Sequence, residues 1–261
     1  MDRDKPVAGT FCWSEVDTTD QRAAVKFYGT LFGWSVDELP MGPGEIYAMF
    51  QLRAREVAAA TTMRPEQRQQ GIPPHWNSYV AVESADAAAD RASQLGGRVL
   101  APPFDVFEAG RATVLQDPCG AVVHAWQAKN RIGARVLNEP GAVCWTELMT
   151  TDAGAAQRFY TSLFEWTADT SDMGKGVFYT QFMNKGAAVG GMMQISADMG
   201  PIPPHWRPYF QVEDCDQTTT RATGLGSQVQ VPPTDIPSVG RFSILADPQG
   251  AAFALLRPLQ V

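Results

Sequence analysis

The sequence is short of most features that would assign a function at once. It holds three histidines and four cysteines in 261 residues. None of Cys12, Cys119, Cys144 and Cys215 stands in a C-x-x-C pair, so neither a disulfide framework nor a zinc knuckle is expected, and the thiols read as free and buried. No apolar run approaches the length that spans a bilayer. The polar start Met1-Asp2-Arg3-Asp4-Lys5-Pro6 has no signal-like apolar stretch, so a cytoplasmic location is expected. The net charge of −7 carries no basic stripe. Nucleic acid and anionic membrane surfaces are therefore not expected as partners. A P-loop, a G-x-S-x-G elbow and a dinucleotide fingerprint are also missing. With 44% hydrophobic residues, the chain has material for one large or two ordinary cores.

What the chain does have is itself, twice. Cys12-Trp13-Ser14-Glu15 returns as Cys144-Trp145-Thr146-Glu147, and Thr18-Thr19-Asp20 as Thr150-Thr151-Asp152. Phe27-Tyr28 and Leu31-Phe32-x-Trp34 return as Phe159-Tyr160 and Leu163-Phe164-x-Trp166. Pro73-Pro74-His75-Trp76 and Asp117-Pro118-x-Gly120 return as Pro203-Pro204-His205-Trp206 and Asp247-Pro248-x-Gly250. Conserved order at a nearly constant offset marks an internal duplication. The expected division is a module at 9–128, an exposed linker at 129–141 rich in charge, proline and glycine, and a second module at 142–258.

Within a copy, residues 10–17 read as a strand. Thr19 or Asp20 caps a helix over 21–33, whose Ala24, Phe27, Tyr28, Leu31 and Trp34 recur at helical spacing and belong in the core. Strands follow near 46–52, 56–63 and 76–83. An alanine-rich helix at 85–95 stops at Gly96-Gly97. Strands near 98–101, 111–116 and 121–127 close the copy, the last two joined by an Asp-Pro-x-Gly turn. The fold class is α+β: four βαβββ units, each with a helix on one sheet face and a free, curving opposite face.

The strand before Asp20, the helix ending Phe27-Tyr28-x-x-Leu31-Phe32-Gly33-Trp34 and the Asp-Pro-x-Gly hairpin, all doubled, resemble the vicinal-oxygen-chelate superfamily of glyoxalases, bleomycin-resistance proteins and dioxygenases. The tandem subgroup often labelled hydroxylase-like is the nearest in pattern. The resemblance implies two glyoxalase-like modules whose concave mixed-sheet half-barrels form ligand clefts. In family enzymes it also implies a divalent metal held from four strands. Carried over, those positions fall on Trp13, Ala59, Asn77 and His124, and on Trp145, Gly191, Arg207 and Ala254. Only His124 is a good ligand, so a metal-free cleft is expected. The alternative is a divalent ion on a displaced set drawn from Glu15, Glu147, His75 and His205.

Strand alternation puts Phe11, Trp13 and Glu15 on one face, as it does Asn77 and Tyr79, and His124 and Trp126. The expected ligand contacts are Trp13, Asn77, Tyr79, Trp126, Trp145, Gln181, Arg207 and Tyr209, which offer flat faces and polar handles. Glu15, Glu147 and His124 are the candidate catalytic groups, a carboxylate in a dry cleft being able to act as a base. Two functions follow. One is a protein that binds or sequesters a flat, apolar, aromatic small molecule, in antibiotic resistance or as a biosynthetic accessory. The other is an enzyme of glyoxalase, dioxygenase or hydroxylase type. A monomer or a homodimer fits the duplication.

Overall fold

A computed structural model describes residues 7–174 and 176–259. The first half runs β1 (Phe11–Thr18), α1 (Gln21–Phe32), β2 (Ser35–Gly42), β3 (Glu45–Leu52), β4 (Arg55–Thr62), α2 (Pro65–Gln69), β5 (His75–Ala81), α3 (Ala85–Gln94), β6 (Arg98–Val106), β7 (Gly110–Gln116) and β8 (Val122–Ala128). The second half repeats it as β9 (Val143–Thr150), α4 (Ala153–Phe164), β10 (Thr167–Asp172), β11 (Phe178–Asn184), β12 (Ala187–Gln194), a 3₁₀ turn at Ala197–Met199, β13 (His205–Gln211), α5 (Cys215–Gly224), β14 (Gln228–Ile236), β15 (Gly240–Ala246) and β16 (Ala252–Pro258). Each half is therefore two βαβββ units in one sheet, as the sequence pattern predicts.

The strand order is β2-β3-β4-β1-β5-β8-β7-β6, and the second sheet copies it as β10-β11-β12-β9-β13-β16-β15-β14. β1 runs parallel to β4 and antiparallel to β5, and β5 runs parallel to β8, so the sheet is mixed. It curls into a half-barrel, as right-handed strand twist favours. Strands β2 and β10 are absent from the expected elements. They lie at sheet edges with mostly exposed residues, and their polar sequences lack the β-branched alternation that announces a half-buried strand.

Helix caps follow the sequence closely. The Asp20 side chain accepts from Ala23 N at 3.0 Å, and Asp152 from Ala155 N at 2.9 Å. Each aspartate satisfies one orphan donor of the first turn. Gly33 ends α1 in the left-handed region, where the second copy uses Glu165.

The cores cross the repeat. Phe27, Tyr28 and Leu31 of α1 pack with Phe50, Ala58 and Trp76 of their own sheet, but also with Phe210, Ala222, Phe253 and Leu255 of the second half. Reciprocally, Phe159, Tyr160 and Leu163 of α4 pack with Phe182 and Trp206, and with Ala89, Ala92, Leu115 and Val123 of the first half. Each core thus joins the first unit of one module to the second unit of the other. Tyr28 Oη donates to Asp247 Oδ2 across the join at 2.9 Å, and Trp76 Nε1 donates to Tyr28 Oη at 3.0 Å. Asp247 also holds its own turn, accepting from Gln249 N and Ala251 N at 2.9 Å each.

The joining segment is not the exposed linker expected from its composition. Ala134 and Val136 are buried, and Ala134 N donates to Cys12 O at 2.7 Å and Gly141 N to Gln211 O at 2.8 Å. Gly133 explains the close approach: with φ at +95°, a Cβ there would meet Cys12 O at 2.2 Å. The four thiols are free, with Cys12 and Cys215 buried and Cys119 and Cys144 partly exposed.

Candidate functional site

The concave faces bound about 2680 Å³ of open space, lined from both halves. In module 1, β1 sends Glu15 and Asp17 to this face, while Ser14 and Val16 turn toward the helices. Glu15 stands across from Ala59 of β4 and Asn77 of β5. Tyr47 Oη donates to Glu15 Oε2 at 2.9 Å, and Tyr79 Oη to Oε1 at 2.8 Å. Trp13 Nε1 in turn donates to Tyr47 Oη at 2.8 Å. His124 lies 4.3 Å from the Tyr79 ring, centroid to centroid, with Nε2 3.2 Å from Asn77 Oδ1.

Burial dominates the electrostatics here. It pushes the Glu15 carboxyl up to about 7, and nearby Asp17 adds to the rise while the two tyrosine hydroxyls oppose it. It also pushes the His124 imidazole down to about 4. At neutral pH His124 is an uncharged ring, and Glu15 is poised between acid and base. Tyr47 and Tyr79 are raised well above the usual phenol range, first by burial and then by the carboxylate.

Module 2 keeps the scaffold and changes its polar groups. Trp145 Nε1 donates to Tyr179 Oη at 2.8 Å, repeating the Trp13–Tyr47 pair. Glu147 faces Gly191 and Arg207. Its Oε2 accepts from Arg207 Nη2 at 2.9 Å and from Tyr209 Oη at 2.7 Å. This ion pair is only 7% exposed on either side chain. Arg207 is thereby fixed to a buried partner, and the Glu147 carboxylate accepts from one charged and one neutral donor, where Glu15 accepts from two neutral hydroxyls. His124 has no counterpart, since Ala254 takes its place beside Tyr209.

Of the sequence-predicted residues, Glu15, Asn77, Tyr79, His124, Trp145, Glu147, Gln181, Arg207 and Tyr209 line the cavity. Trp13 and Trp126 pack instead with Cys12, Tyr79 and Ala81 in a small cluster, and Trp126 Nε1 donates to Arg131 O at 2.9 Å. Phe11 leaves the face expected for it. A bulge between Phe11 and Trp13 breaks the alternation, and the Phe11 ring packs at 5.0 Å from Trp206 in the second core. Tyr47 and Tyr179, which orient Glu15 and Trp145, were not among the expected residues. No periodic cue distinguishes them, although both occupy the same place in the repeat.

The cross-strand register corrects the carried-over metal positions. Glu15 and Glu147, not Trp13 and Trp145, share rows with Ala59 and Asn77 and with Gly191 and Arg207. The donor sets still do not suit a divalent ion. Module 1 offers one carboxylate already held by two hydroxyls, one amide and one imidazole, and module 2 puts a guanidinium in the row. Among the described residues, no three His, Cys, Asp or Glu side chains converge on one point. The displaced set is not assembled either: His75 Nδ1 lies 2.8 Å from Pro73 O and its Nε2 faces Asp17 at 3.8 Å.

The family description "Glyoxalase/Bleomycin resistance protein/Dioxygenase superfamily" matches residues 15–125 and again 132–255. The chain belongs to this superfamily. It is 43% identical over 96% of its length, and 95% of the relative's, to the protein of Mycobacterium tuberculosis named "Putative glyoxylase CFP32". It is 33% identical over 95% of its length, and 93% of the relative's, to "Anthracycline biosynthesis protein DnrV" of Streptomyces peucetius. Among solved structures, the Mn(II)-bound glyoxalase from Novosphingobium aromaticivorans superposes with a TM-score of 0.68 at 13% identity, covering 97% of this chain and 83% of that one. The 2,3-dioxygenase LapB from Pseudomonas sp. KL28 gives 0.65 at 13% identity, covering 98% and 94%. These two likenesses establish the fold.

Proposed function

We propose that this protein binds a flat, largely apolar, polycyclic small molecule on its concave faces without a metal ion, in a biosynthetic-accessory or resistance role. The observation that carries the reading is the cavity's apolar mouth. Met41, Ile46, Ile72, Leu100 and Phe104 line module 1's side and are 37–44% exposed. Met173, Val177 and Val239 line module 2's side and are 42–55% exposed. Exposed apolar side chains gathered around one opening mark a ligand or partner surface, and the polar groups set deeper on the concave faces can orient an aromatic ligand held there. The relatives named for anthracycline biosynthesis support a polycyclic aromatic class. No helix among the described residues is long and apolar enough to cross a membrane.

A second reading rests on Glu15. A carboxyl raised to about 7 and oriented by two hydroxyls is suited to proton transfer. In that reading the protein is an enzyme and Glu15 its base. Titrating metal-stripped protein with polycyclic compounds, with tryptophan fluorescence as readout and mass spectrometry of the recovered compound, decides between them. Saturable quenching by a compound returned unchanged supports the binder. A mass change, or binding only after a divalent metal is added, overturns it. Glu15→Gln then costs an enzyme about 10²-fold or more in turnover.

A further inference from the structure

The two concave faces share a scaffold but differ in one orphaned pair of polar atoms. His205, at the start of β13, has Nδ1 2.8 Å from Pro203 O. A carbonyl can only accept, so Nδ1 carries the proton and Nε2 keeps a bare lone pair. Burial, with Arg207 adjacent, holds the ring neutral by pushing its pKa down to about 4. In module 1 the equivalent His75 has Asp17 across from it; in module 2 the cross-strand residue is Met149. The buried Nε2 of His205 has no hydrogen-bond partner among the described residues.

Two positions along the same strand, on the same face, stands Arg207. It spends Nη2 on Glu147, and its buried Nε–H is likewise without an acceptor. The strand repeat places the two residues about 7 Å apart along the backbone. Both line the cavity, as do Tyr209, two residues beyond Arg207 on the strand, and Trp145, which pairs with Tyr209 across the sheet. A buried polar atom without a partner is costly, so each atom favours any ligand group that satisfies it. The group needed must accept one hydrogen bond and donate another. A carboxylate serves Arg207 but sets its charge beside Glu147 and its lone pairs against those of Nε2. An ether or quinone oxygen serves Arg207 alone, and an ammonium is repelled by the guanidinium. A hydroxyl serves both.

We propose that module 2 is a second binding site, distinct from that of module 1, for a hydroxylated aromatic compound of the phenol or enol class. The hydroxyl oxygen accepts from Arg207 Nε, its hydrogen is donated to His205 Nε2, and the ring lies among the aromatic and apolar side chains. In module 1 the counterparts differ: Asn77 stands in place of Arg207, its Oδ1 3.2 Å from His124 Nε2, and His75 Nε2 faces the Asp17 carboxylate at 3.8 Å.

This rests on the ligand-binding reading of the concave faces, and the test separates the two. The full chain is titrated by calorimetry with 2-naphthol, 2-methoxynaphthalene and 2-naphthoate. Wild type is expected to bind 2-naphthol at two sites, one of which prefers it to the methyl ether by about tenfold, the equivalent of one hydrogen bond. His205→Phe removes the acceptor, and Met149→Asp sets a carboxylate against Nε2, as Asp17 is set against His75 in module 1, which favours the ring protonated at Nε2 and so no longer able to accept. Each is expected to erase the preference and leave the other site's affinity unchanged. Equal affinity for the two neutral probes, a preference that survives both variants, or tighter binding of 2-naphthoate overturns the proposal while leaving the ligand-binding reading intact. Failure of any probe to bind overturns both.

Discussion

Replacing Tyr28 by Phe removes one oxygen from the seam between the halves. Tyr28 is fully buried. Its hydroxyl accepts from Trp76 Nε1 at 3.0 Å and donates to Asp247 Oδ2 at 2.9 Å. Phenylalanine fills the same space, so almost no cavity term enters. What remains is an indole N–H and a carboxylate oxygen deprived of partners where water does not reach. At about 1–3 kcal/mol per orphaned group, with the carboxylate toward the upper end, the loss is about 3–5 kcal/mol. Burial already raises the Asp247 carboxyl, and the Tyr28 hydroxyl holds it down. Losing that hydroxyl raises it further. A folded pKa above the unfolded one contributes stability at low pH that is lost as pH rises through the folded value, so the variant's deficit is largest at alkaline pH and shrinks on acidification. Urea unfolding, followed by fluorescence at about pH 8 and about pH 5, measures both effects. Because the seam belongs to both cores, the whole chain should unfold in a single transition. A deficit under about 1 kcal/mol at the higher pH, a deficit indifferent to pH, or a split transition with one module melting first would refute this reasoning.

Other outcomes follow from the same geometry. The Glu15 shift from 4.5 to about 7 is worth about 3 kcal/mol. That stability is fully present below about 4.5 and lost as pH rises through about 7, so Glu15→Gln should flatten the melting temperature across this window and raise it at alkaline pH. Wild-type and variant melting temperatures that stay parallel across that range would remove Glu15 as the cause. His124 and His205, pushed down to about 4 by burial, act in the opposite sense. Their contribution is intact above about 6.5 and lost as pH falls toward 4; converting both to glutamine should lessen acid destabilisation, as read by circular dichroism. Gly133→Ala drives a Cβ to 2.2 Å from Cys12 O at a positive φ and is expected to cost about 2 kcal/mol or more in urea unfolding.

The local architecture was largely legible in the sequence because it obeys local rules. Asp20 and Asp152 cap α1 and α4, the apolar stripe through Phe27, Tyr28 and Leu31 is buried, and the Asp-Pro-x-Gly turns join β7 to β8 and β15 to β16. Periodicity states that a helix face is covered but not by what, so the exchange of cores between the halves was invisible. Composition misread the segment at 129–141, since a charged and glycine-rich stretch can still bury Ala134 and Val136 when its backbone is paired. The site was half legible. Alternation found Glu15, Asn77 and His124, and it failed at Phe11, where one bulge reverses the side chain's direction. The Glu15–Tyr47 and Glu147–Arg207 pairings depend on strand register across the sheet, which no single segment encodes.

The exchanged cores change what the covalent join between the halves accomplishes. Neither half can close its own apolar faces, so each is the other's obligatory subunit. A peptide tether makes their meeting intramolecular, at an effective concentration of about millimolar for short connections. Severed within 129–141 and made as two chains, the halves would assemble as a heterodimer by the same contacts, now subject to dilution. The tether also forbids the pairing of two identical halves within one chain. That restriction is what lets one concave face keep His124 and Asn77 while the other adopts Ala254 and Arg207: in a symmetric pair every substitution would appear in both sites at once.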